Sequence, residues 1–72
     1  MGMTRPDTGT IRADDGWRLE WDITELPHRV DKFDAEGGHK LRTSGDVTQR
    51  HLQYMIRHFL REHAGQQMVM EW

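Results

Sequence analysis

The fold is decided by the stretch from Gly45 to Gly65, which reads GDVTQRHLQYMIRHFLREHAG. Its apolar residues recur at spacings of three and four, which is the period of an α-helix with one buried stripe. These residues are Leu52, Met55, Ile56, Phe59 and Leu60. Asp46 is the predicted N-cap, with Gln49 three positions later, and Gly65 is the predicted left-handed stop. The stretch therefore predicts one amphipathic helix over about residues 47–64.

A second stripe runs along the opposite side of this helix and is basic. It consists of Arg50, Tyr54, Arg57 and Arg61. Arginine presents a rigid bidentate donor fork and tyrosine adds a stacking plane, so the stripe predicts a contact face for an acidic protein surface or for phosphates. The alternative is a merely solvated face, because three arginines are few beside the roughly six to ten phosphate contacts of strong DNA-binding proteins.

Size and composition limit what the chain can be. Its 72 residues predict one domain, with a flexible N-terminal tail at residues 1–9 and the folded part at residues 10–72. There is no cysteine, which excludes disulfides and fits a reducing interior, so we expect a cytoplasmic location. No apolar run approaches the roughly 20 residues of a membrane-spanning helix, so no membrane partner is expected.

The net charge of −2 is unevenly distributed along the chain. Residues 1–38 carry five Lys and Arg against nine carboxylates, a net −4, whereas residues 39–72 carry five against three, a net +2. The overall charge therefore argues against a dedicated nucleic-acid-binding protein, while the basic second half leaves that function open.

Residues 10–23 predict a first β-hairpin. Apolar residues alternate there with charged ones, as in a half-buried strand. The apolar set is Trp17, Leu19, Trp21 and Ile23. A three-residue loop at residues 14–16 pairs Ile11 with Leu19 and keeps one face apolar, whereas a two-residue loop mixes apolar and charged residues. We therefore expect the three-residue turn, closed by Gly16 in the left-handed region.

A second hairpin is predicted across a three-residue loop at residues 36–38. This loop pairs Phe33 with Leu41, which are both apolar, and it pairs Asp34 with Lys40, which have opposite charges. Val30 then falls on the opposite face from Phe33, so a bulge and a slipped register are both open alternatives.

A short final strand follows Gly65, because Met68, Met70 and Trp72 alternate with Val69 and Glu71. Its place, at an edge of the sheet or between the hairpins, is left open. The element order predicts an α+β fold, a small antiparallel sheet of two hairpins plus a C-terminal strand packed against one helix. The expected core is Trp17, Leu19, Trp21, Phe33, Leu41, Leu52, Ile56, Phe59, Leu60 and Met70.

The chemically active residue types do not form a catalytic or metal-binding pattern. Ser44 is the only serine and there is no cysteine, so no catalytic residue and no cofactor are predicted. His58 and Glu62 stand four apart on the helix with His51 a further turn away, but two ligands on one helix do not complete a metal site. No metal is predicted, and His63 is expected to stabilise the helix C-terminus.

These observations favour a non-catalytic protein-interaction module, a regulator, adaptor or inhibitor of a larger protein, of the kind that phages and mobile elements often encode. The alternative is a nucleic-acid-binding module that uses the basic stripe of the helix. A third hypothesis is a homodimer joined through the last strand, because an apolar edge strand accepts a partner strand. The contacts at that edge are predicted to be Met68, Met70 and Trp72.

Overall fold

The computed structural model describes residues 7–71, which contain five strands and one helix. The elements in chain order are β1 (Thr8–Ala13), β2 (Arg18–Asp22), β3 (His28–Phe33), β4 (His39–Gly45), α1 (Gln49–Glu62) and β5 (Met68–Glu71). The strands form one antiparallel sheet in the order β4-β3-β2-β1-β5. The predicted α+β class is confirmed. Strand β1 begins two residues before the predicted hairpin, and residues 1–6 of the predicted tail lie outside the described residues.

The first hairpin has the predicted three-residue turn. Ile11 pairs with Leu19, and the turn is closed by two backbone hydrogen bonds, from Ala13 N–H to Trp17 O at 2.8 Å and from Gly16 N–H to Ala13 O at 3.0 Å. Gly16 has φ = +96°, a left-handed conformation that a residue with a side chain adopts only with strain.

The second hairpin uses the same kind of turn one residue earlier than predicted. Asp34 N–H donates to Gly38 O at 2.9 Å and Gly37 N–H donates to Asp34 O at 3.0 Å, so the loop is residues 35–37. Gly37 holds the positive φ of +85°. The Asp34 carboxylate fixes this choice because its Oδ1 accepts the backbone N–H groups of Glu36 and Gly38 at 3.0 and 2.8 Å.

This slipped register, together with a bulge between Lys32 and Phe33, overturns the predicted Phe33–Leu41 pair. Phe33 pairs with His39 and lies on the sheet face away from α1, where the Arg18 guanidinium stands 4.1 Å from its ring centroid. Leu41 pairs with Lys32 on the helix side instead. Phe33 is therefore not a core residue.

The core lies between α1 and the middle of the sheet. Its buried members are Ile11, Ala13, Leu19, Trp21, Val30, Val47, Leu52 and Phe59, flanked by the partly buried Trp17, Ile23, Met55, Ile56, Leu60 and Met68. The core prediction is also wrong for Leu41 and Met70, because these side chains are 36% and 45% exposed. A helix is about 10–12 Å across and strands lie about 4.8 Å apart, so one helix covers roughly the three central strands and leaves the edges β4 and β5 open.

The start of α1 also differs from the prediction. Thr48 is the N-cap, and its Oγ1 accepts the backbone N–H of His51 at 3.1 Å, whereas the predicted cap Asp46 lies outside the helix with an exposed side chain. Val47 is buried, and its N–H donates to His28 Nδ1 at 2.9 Å, which keeps this residue out of the helix. The helix thus spans residues 49–62, and Gly65 takes the predicted left-handed conformation, with φ = +88°.

Candidate interaction surface on the helix

The basic stripe lies on the side of α1 that points away from the sheet. Leu52 and Phe59, each 1% exposed, hold the opposite side of the helix against β1 to β3. The four predicted contact residues are consequently all exposed, and Tyr54 keeps 65% of its surface in solvent. They are Arg50, Tyr54, Arg57 and Arg61, and we call them the basic helix face.

The arginines of the basic helix face have no carboxylate within ion-pair distance in residues 7–71. Other cations of the described chain do, as in the pairs Arg18–Glu20 at 2.6 Å and Lys32–Glu62 at 3.3 Å. The single carboxylate of α1, that of Glu62, is shared between Lys32 and His58, which lies 3.5 Å away. The positive charge of the basic helix face is therefore not neutralised inside the described part of the molecule.

Aromatic rings accompany this charge. Tyr54 stands between His51 and His58 along α1, with ring centroids 6.4 and 6.3 Å away. All three side chains are exposed, so the helix presents a continuous strip that combines cations with flat ring surfaces.

A groove that sequence reasoning missed adjoins this strip, between α1 and the uncovered strand β4. Its volume is about 220 Å³, and its apolar walls come from Leu19, Leu41, Met55 and Phe59. Lys32, Tyr54 and His58 supply its polar groups. The sequence pattern places Leu41 in the core and therefore does not predict the groove. The sequence signal for the groove is that one predicted helix is too narrow to cover a sheet of five predicted strands, so an edge strand must remain open.

The predicted edge contacts are placed only in part. Strand β5 pairs with β1, with Ile11 opposite Met70, and its other side pairs with no strand of residues 7–71. Met68 packs partly into the core, while Met70 and Val69 are 45% and 60% exposed. Trp72 lies outside the described residues, so the homodimer through this edge stays a prediction.

His63 links the end of α1 to the first hairpin. It is 6% exposed, its Nδ1 lies 3.0 Å from Asp15 Oδ2, and its ring packs on Phe59 with centroids 4.5 Å apart. The backbone N–H of Trp17 holds the pKa of the Asp15 carboxyl below its usual value, and hydrogen bonds from Gln66 and His63 act in the same direction. The buried imidazole is thus part of the packing between the two layers.

Neither a metal site nor a membrane-spanning helix is found in the described residues. Between residues 7 and 71, no three His, Asp or Glu side chains are arranged to hold a metal ion, and the potential metal ligand beside His58 on the helix flank is Glu62. The helix α1, with 14 residues, is too short and too polar to cross a lipid bilayer. The chain matches none of the family models, curated proteins and solved structures with which it was compared.

Proposed function

We propose that this chain is a non-catalytic protein-interaction module that binds an acidic surface of a larger cytoplasmic protein, as a regulator, adaptor or inhibitor. The basic helix face is its contact surface. The observation that carries the proposal is the group of three exposed arginines around Tyr54 with no carboxylate partner in residues 7–71. A phage or mobile-element origin is compatible with such a small accessory domain.

The position of Arg50 and the spacing of Arg57 from Arg61 support a role in contact, because both disfavour the isolated helix, although Arg61 itself lies in the last turn, where the helix dipole favours a cation. Arg50 lies in the first turn of α1, where a cation is opposed by the helix dipole by about 0.3–1 kcal/mol. Arg57 and Arg61 stand four residues apart, a like-charge spacing that costs about 0.2–0.5 kcal/mol. A carboxylate of a partner removes both penalties and accepts bidentate hydrogen bonds from the guanidinium groups.

Capture from a lysate with matched variants tests this proposal. The double variant Arg57→Gln and Arg61→Gln removes two charges from the basic helix face, and Arg29→Gln with Arg42→Gln removes two exposed charges from the far side of the sheet. We expect the immobilised protein and the far-side control to retain the same captured protein, identified by mass spectrometry, while the helix variant loses it. Equal capture by both variants would contradict the proposal.

Nucleic acid is the second candidate, because the strip of Arg50, Tyr54 and Arg57 with its flanking imidazoles also suits phosphates and bases. Three arginines on three phosphates give a slope of log affinity against log salt of about −2.7, from about −0.9 per phosphate on duplex DNA. Fluorescence anisotropy with labelled duplex and single strands at low salt decides between the candidates. Binding with that slope, lost in the Arg57→Gln and Arg61→Gln variant, would favour nucleic acid over a protein partner.

A further inference from the structure

We infer that the groove between α1 and β4 seats one apolar side chain of an acidic segment of the partner protein, with the basic helix face holding the carboxylates on either side of that side chain. This inference rests on the proposed function and specifies how the partner is recognised. The proposed occupant is a peptide segment of another protein.

The architecture leaves the groove open. Because α1 packs over the centre of the sheet, the helix-side residue of β4 at this level, Leu41, has no helix above it and remains 36% exposed. Met55, on the flank of α1 that faces β4, is likewise only partly buried. Leu19 and Phe59, each 1% exposed, close the bottom. A side chain inserted there would bury apolar surface that the described residues leave partly open.

The size of the groove matches one side chain. Its volume is about 220 Å³. Sites for drug-sized ligands and cofactors span roughly 300–1,000 Å³, so this groove is below that range. Hot spots of protein interfaces are often single anchor side chains in small apolar pockets of this kind, surrounded by polar contacts.

The charge around the groove selects an acidic segment. None of its lining residues is a carboxylate, and the polar ones are Lys32, Tyr54 and His58. A second, smaller depression adjoins it through Tyr54 and His58 and adds Arg57 and Arg61. The carboxylate of Glu62 on α1 is held by Lys32 and His58. A segment with its anchor in the groove would therefore place flanking Asp or Glu residues against cations.

Selection of peptides on the intact chain tests this inference directly. A random-peptide display library is selected on the immobilised 72-residue protein. We expect enrichment of sequences with one large apolar residue flanked by Asp and Glu. Replacing that residue by Ala in the labelled consensus peptide should weaken binding at least about tenfold in fluorescence anisotropy, because the variant peptide no longer buries a large apolar side chain in the groove. No enrichment over an unrelated bait, or enrichment of basic sequences, would overturn the inference.

Two matched variants locate the binding site. Leu41→Thr removes apolar surface from the groove on edge strand β4, and Val69→Thr makes a similar change on edge strand β5. We expect the first to weaken binding of the consensus peptide about tenfold and the second to leave it unchanged. Amide shifts in a ¹H–¹⁵N spectrum verify that both variants are folded, and the peptide should move the signals of Leu41, Met55 and His58.

The outcomes separate the inference from the proposed function. If both variants bind the consensus peptide equally, the groove does not hold the anchor. Were lysate capture still to depend on Arg57 and Arg61 in that case, the inference would fail while the proposed function stands. If capture does not depend on these arginines, the proposed function itself fails.

Discussion

At the residue scale, three aspartate side chains each fix the conformation of a turn through a hydrogen bond to the backbone. Asp15, Asp22 and Asp34 each accept the backbone N–H of the residue two positions on, at 3.0 Å in every case. These Asx turns fix the two hairpin turns and the segment that follows β2. They are short-range interactions, so each is predictable in kind from an aspartate in a turn.

The same aspartates predict how stability depends on pH. Hydrogen bonds lower the pKa of each carboxyl from 3.8, first of all from Trp17 N–H to Asp15, from the Thr24 hydroxyl to Asp22, and from Gly38 N–H to Asp34. A carboxyl whose pKa is lower in the folded state stabilises the fold fully above its unfolded value. This stabilisation is lost as the pH falls through the folded pKa. We expect unfolding free energy to decline with acidification below about pH 4.

Urea unfolding between about pH 2 and pH 7 measures this dependence. Asp34→Asn should show a smaller decline on acidification than the parent chain, because the amide cannot titrate. Asp14→Asn is the control, since Asp14 lies in the first turn and makes no hydrogen bond within the described residues. A decline in Asp34→Asn as large as that of the parent would show that the turn carboxylate is not a source of acid sensitivity.

At the element scale, the N-cap of α1 shows how tertiary contacts decide between two residues that the local sequence makes equally suitable. Asp46 and Thr48 are both acceptable N-caps by residue type. Val47 decides between them, because it is 5% exposed in the core and its N–H is bound by His28. With Thr48 as N-cap, Val47 and Leu52 occupy the two positions of a hydrophobic staple, and both are core residues.

This assignment predicts unequal effects of two alanine substitutions. Thr48→Ala should lower the free energy of unfolding by about 1 kcal/mol, because it removes the acceptor of the His51 N–H. Asp46→Ala should cost less than about 0.5 kcal/mol, since this exposed side chain caps nothing in the described structure. Both values come from chemical denaturation followed by circular dichroism. If Asp46→Ala lowered the free energy of unfolding more than Thr48→Ala does, Asp46 would be the N-cap, as the sequence predicts.

At the scale of the whole molecule, residues 7–71 form one helix that packs on a sheet of five strands. Strand β4 leads into α1 at one edge of the sheet, and α1 leads into β5 at the other edge, so the helix connection crosses the entire sheet. The helix therefore covers the centre of the sheet, and the two edge strands remain partly exposed. The groove beside β4 and the exposed residues of β5 are thus consequences of a single architectural fact.

The two faces of α1 have separable tasks in this arrangement, and mutation should distinguish them. Phe59 is 1% exposed and joins the helix to the sheet, so Phe59→Ala should remove about 3–5 kcal/mol. That is most of the stability of a small domain, which is typically about 5 kcal/mol or somewhat more. Arg57→Ala, on the basic helix face, should cost under about 0.5 kcal/mol in the same denaturation experiment. Comparable losses from the two variants would mean that the faces are exchanged.

The sequence by itself determined the α+β class, the number of elements, the helix with its apolar and basic sides, and the first turn. These follow from short-range physics. Side-chain periodicity marks which face of an element is buried, and the pairing of Ile11 with Leu19 leaves one acceptable turn. The exposed position of the basic helix face was predictable in the same way, because it lies opposite the apolar stripe.

Only the tertiary structure decided the second register, the N-cap, the place of β5 and the groove. Two glycines follow Glu36, and the side chain of Asp34 selects Gly37 for the left-handed position, which moves Phe33 to the open face. Whether Leu41 and Met70 are buried depends on how far a single helix reaches across the sheet. Apart from the second turn, which the neighbouring Asp34 carboxylate selects, these outcomes depend on packing between elements that are distant in sequence, and no local pattern of residues records that packing.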